Sequence, residues 1–198
     1  MKKVLIVIFA SLWLTACGAA GTGTSTGTGT GASSSKLDVK VGGKDSTLTV
    51  KSGAVHYSGM NFSTPGKPTT KTSLHTIYIA NYELDTTTPE KPLTAPDQMR
   101  VDIGLTGEEG TWADSPFKVG TYSPKADKFN VVSNVTIITF ADGKQTETRF
   151  DNSFGNKKVN GEVKITSVTA DAVSGEVNLT EGDKSIKGTF TAKLPKAK

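Results

Sequence analysis

One cysteine and two histidines are the only thiol and imidazole ligands in 198 residues. A single cysteine excludes a disulfide within the chain. The histidines, His56 and His75, stand apart, with no H-E-x-x-H or paired C-x-x-C spacing, so no metal site is expected. No G-x-S-x-G elbow marks a nucleophile, and no catalytic residue or cofactor is assigned. Blocks of basic residues are also missing. The formal charge is only +4 and the lysines are scattered, which excludes the electrostatic footprint of a nucleic-acid binder. No window of eleven residues keeps helical spacing. The one long apolar run, Val4 to Leu14, covers about half of the roughly 20 residues that a helix needs to cross hydrocarbon.

That run follows Met1-Lys2-Lys3, a short basic start, and so reads as a signal peptide rather than a membrane span. It ends in Leu14-Thr15-Ala16-Cys17. All four positions match the lipobox, so the N-terminus resembles that of bacterial lipoproteins. The resemblance implies cleavage between Ala16 and Cys17, a diacylglycerol thioether on the Cys17 sulfur and usually an acyl chain on the new amine. One buried chain binds a bilayer marginally, at about 0.8 kcal/mol per methylene, whereas two or more hold it lastingly. The lipid would therefore do the membrane binding. Gly18 stands where an aspartate favours inner-membrane retention in enteric-type bacteria, so the resemblance implies the outer membrane over the inner.

Three segments follow from this reading. Residues 1–16 are the signal peptide. Residues 17–35 are the lipidated cysteine and a tether of Gly, Thr, Ser and Ala, with no large apolar side chain to support ordering. A coil of this composition spans roughly 23 Å, enough to hold a small domain clear of lipid headgroups. Residues 36–198 form the domain, and their pattern has period two. Leu37, Val39 and Val41 alternate with polar residues, as do Met99 to Leu105 and Glu162 to Val168. Asp142-Gly143 is a type I′ hairpin signal. About ten short strands joined by Gly/Asp turns predict an all-β fold, an antiparallel β-sandwich or small barrel. Two stretches read as irregular loops, Gly59 to Thr72 and Asp85 to Asp97. The last hairpins, with Val163-Lys164-Ile165, Val173 to Val177 and Ile186 to Phe190, resemble those of uncharacterised all-β envelope lipoproteins. That pattern covers about a fifth of the chain and assigns no site residue.

Candidate chemistry is sparse. Trp112 sits in one loop with Glu108, Glu109 and Asp114. Clustered carboxylates suit calcium and an indole face suits a sugar, but the spacing does not match a D-x-[DN]-x-[DN]-G calcium loop. Trp112 also suits a plain cap on the end of a sandwich. In simple alternation His75 shares a face with Ile77 and Ile79, at the edge of the core. We expect a non-enzymatic, lipid-anchored envelope protein, held to the membrane through Cys17 and binding another envelope protein or a glycan through its loops. The alternative is a carrier of a sugar or an apolar small molecule. A hydrolase would need His56 or His75 within about 3.2 Å of a serine and an acid.

Overall fold

Alternation becomes strand pairing in the computed structural model, which describes residues 35–63, 65–151 and 158–195. Ala16, Cys17 and nearly all of the expected tether lie outside the described residues. The described chain is all-β, with eleven strands and no helix. β1 (Lys36–Val41) and β2 (Lys44–Thr49) form a hairpin. β3 (Ser52–Phe62), β4 (Thr70–Ala80) and β5 (Met99–Thr106) follow, then the short β6 (Gly120–Tyr122). β7 (Val132–Ala141) and β8 (Lys144–Arg149) form the expected hairpin. Both turn residues, Asp142 and Gly143, have positive φ, as a type I′ turn requires. β9 (Asn160–Val168), β10 (Ala172–Glu181) and β11 (Lys184–Lys193) close the chain as a meander.

The strand order is β6-β9-β10-β11-β3-β4-β5-β7-β8, with β1 on β11 and β2 outside β1. Among the described strands every pairing is antiparallel except the junction of β11 with β3, a single parallel pair at Lys193 and Ala54; outside the strands Ser123 and Val131 make one isolated parallel bridge. Gly53 makes that junction, because a Cβ there would run into the Thr191 carbonyl and Ala192. The ends β6 and β8 do not pair, so the sheet stays open. Its two halves share one core. Ile77, Ile103 and Val135 from one half join Val163, Val177 and Phe190 from the other, together with Leu37 and Leu48 of the first hairpin. This is a sandwich-like arrangement, with the inward residues of each strand meeting those of the opposite half. The described residues buried in that core run from Leu37 to Ala192.

The two expected loops turn out differently. β3 and β4 run on through Gly59–Phe62 and Thr70–Thr72, leaving only 63–69 as the connection. The stretch from Asp85 is irregular, with turns and no helix, and it covers the outer face of β4, β5 and β7. Arg100 explains why. Arg100 and Asp102 alternate with Val101 and Ile103, so they share the face turned away from the core. Arg100 is only 3 % exposed. Its Nε and Nη2 donate to the two Asp102 oxygens at 2.7 and 3.1 Å. Its Nη1 donates to the Pro89 and Lys91 carbonyls at 3.0 and 2.7 Å. The guanidinium lies 5.6 Å from the centre of the Tyr78 ring. Leu93 and Ile138 are buried on the same side of the sheet. At the loop's start the exposed Asp85 carboxylate accepts from Thr87, Thr88 and Lys91, and Lys91 heads the causes that hold its pKa well below the usual carboxylate range.

Candidate functional site

The connection from β5 to β6, residues 107–119, closes one end of the sandwich and carries the sequence's candidate loop. Its backbone continues the ladder of β4: Gly107 N–H donates to the Ser73 carbonyl at 2.9 Å and Gly110 N–H to that of Lys71 at 2.8 Å. The Thr111 hydroxyl locks this register. It accepts from the Ser73 N–H at 2.9 Å and donates to the Glu108 carbonyl at 2.6 Å. A tight turn follows, in which the Trp112 N–H donates to the Ser115 hydroxyl and the Ser115 N–H to the Trp112 carbonyl, both at 2.9 Å.

The indole of Trp112 lies against Gly59 of β3. A Cβ at Gly59 would stand 2.6 Å from three ring atoms, so only glycine admits this contact. Trp112 keeps 39 % of its surface exposed. It caps β3 at Gly59 and leaves part of its ring exposed. Glu108 is paired with Lys118. Glu109 and Asp114 are exposed, and the structure does not gather the loop's acids into one site. Among the described residues no group of three or more His, Cys, Asp or Glu side chains is placed to hold a metal ion.

His75 is the buried polar residue at this end, 2 % exposed. Its ring lies between Tyr57 and Phe117, with centroid distances of 4.6 and 4.4 Å. Burial lowers its pKa to about 4, against a smaller opposing effect of a hydrogen bond to the Ser115 backbone. The imidazole is therefore neutral at pH 7. Its Nε2 is buried with no hydrogen-bond partner among the described residues, so the Ser–His pair that a hydrolase needs is not assembled there. His56 is exposed on β3, beside an open groove that it shares with Thr86, Thr87, Leu194 and Pro195.

A cleft of about 210 Å³ opens beside His75, lined by Ser73, Glu108, Thr111, Lys118 and Asn130 among others. Its lining mixes hydroxyl and amide groups with apolar surface that includes Pro116 and Tyr122, and its two opposite charges, Glu108 and Lys118, pair with each other. The cleft is smaller than the roughly 300–1,000 Å³ of sites that enclose drug-sized ligands. The candidate loop thus comes together as one structured end of the domain, with Trp112 and Glu108 in it and Glu109 and Asp114 on its rim. Ser73, Thr111 and Tyr57 belong to the same end and carry no signal in the sequence, because their role depends on pairing across 38 residues or on ring contact between distant strands. No family model, curated protein or solved structure matches the chain.

Proposed function

We propose that this chain is a lipid-anchored protein of the bacterial envelope whose sandwich serves as a non-enzymatic binding module. The observation that carries the reading is Leu14-Thr15-Ala16-Cys17, at the end of a short apolar run with a basic start. Cys17 carries the lipid and residues 18–35 act as the tether. The described residues from Leu37 to Ala192 supply one continuous core. Binding to an envelope protein or glycan falls to the end formed by 107–119, where a part-exposed indole packs on β3 at Gly59. Aromatic side chains with one exposed face and few soft torsions suit recognition. Gly18 favours the outer membrane. In a bacterial host, Cys17→Ala should move the protein from the membrane fraction to the soluble fraction with its fold intact. A variant that stays in the membrane fraction would contradict the anchor.

A further inference from the structure

An unpaired strand edge presents a row of backbone donors and acceptors that invites another chain to pair, and natural sheets blunt such edges with charge, proline or shortness. This sheet has several free edges. β8 carries Lys144, Glu147 and Arg149 in six residues. β2 begins with Lys44 and Asp45. β6 is three residues long, and the parts of β9 that it leaves free are three residues each. β3 is the exception. Its eleven residues contain no Lys, Arg, Asp, Glu or Pro. β4 pairs with one side of it along the whole length. On the other side β11 meets it only at Ala54, and from His56 to Asn61 nothing among the described residues pairs with it.

We propose that this free edge of β3 pairs antiparallel with the same edge of a second copy of the chain. A strand set against itself about a two-fold axis makes every contact twice, which is the isologous geometry of most dimers. The neutral stretch from Ser52 to Phe62 lets identical edges meet without the like-charge repulsion that opposes cross-strand pairs. The copy would also cover apolar surface. Met60 is half-buried in the free stretch, and Trp112, which packs against Gly59 of that stretch, keeps part of its ring exposed. Six residues paired in this way span about 20 Å, at about 3.4 Å each. The inference does not rest on the lipid anchor.

The test uses the chain from Cys17 onward with Cys17→Ser, which takes no lipid and contains every described core residue. Trp112 is its only tryptophan, because Trp13 is removed. Sedimentation velocity from about 1 to about 200 µM, where a weak dimer declares itself, should show monomer passing to dimer. Trp112 emission should shift to the blue over the same range, and the amides from His56 to Asn61 should gain protection from hydrogen exchange. His56→Lys, and His56→Lys with Met60→Lys, should remain monomeric with unchanged thermal midpoints. If the double variant unfolds, the exposed single substitution and the exchange pattern decide. A monomer at every concentration overturns the proposal. So does a dimer whose protection falls on β2 or β8, or one that survives both variants.

Discussion

His75 shows what one side chain costs and gives in this fold. Its pKa of about 4 lies below the ~6.5 of an unfolded histidine, so on acidification the unfolded chain takes up this proton first. Its contribution to stability is full above pH ~6.5 and falls away as pH drops toward 4, by on the order of 3 kcal/mol. Urea midpoints across that window should fall in the wild type and fall much less in His75→Phe, which keeps an aromatic ring between Tyr57 and Phe117. Equal slopes would mean that His75 is not the titrating group. Arg100 makes the opposite case, a buried charge that is fully paired. Arg100→Met leaves Asp102 without its partner and frees the Pro89 and Lys91 carbonyls, and should cost about 3–5 kcal/mol by urea denaturation. A loss below 1 kcal/mol would show that the loop is held by other contacts. Alternation made the side of each residue legible: His75 falls in phase with Ile77, and Arg100 out of phase with Val101. It could not say that the outward face of β5 would be covered as well, because the loop that covers it lies at another period and is joined by carbonyls.

At the scale of elements, most strands are legible because each alternates large apolar and polar residues around a turn signal. The β3–β4 extension is not. Ser58-Gly59-Met60-Asn61 and Thr70-Lys71-Thr72 offer no apolar face, so the sequence reads as loop. What makes these residues strands is their ladder with each other and the backbone of 107–110 laid along β4. Gly59 matters here through the space it leaves. Gly59→Ala should push the Trp112 indole off β3, shift its emission to the red and destabilise the domain by about 1–3 kcal/mol. Unchanged emission would place the indole elsewhere in solution. The 107–119 segment was legible as a loop with an indole among acids. Its hydrogen-bonded register on β4 was not, since Thr111 reaches Ser73 across 38 residues.

For the whole molecule, an all-β fold follows from composition and period alone, with the choice between sandwich and small barrel left open; the described residues show one core, an open sheet and no helix. The strand order does not, because the β11–β3 junction rests on one parallel pair and a glycine rather than on any run of residues. The central proposal concerns the other end of the chain, where Leu14-Thr15-Ala16-Cys17 is proposed to mark lipid attachment to a membrane. Detergent partitioning with intact-mass analysis of the protein made in a bacterial host tests it most directly. The account predicts a detergent-phase protein whose mass begins at Cys17 and includes acyl chains. A soluble, unacylated product with a free thiol at Cys17 would contradict it.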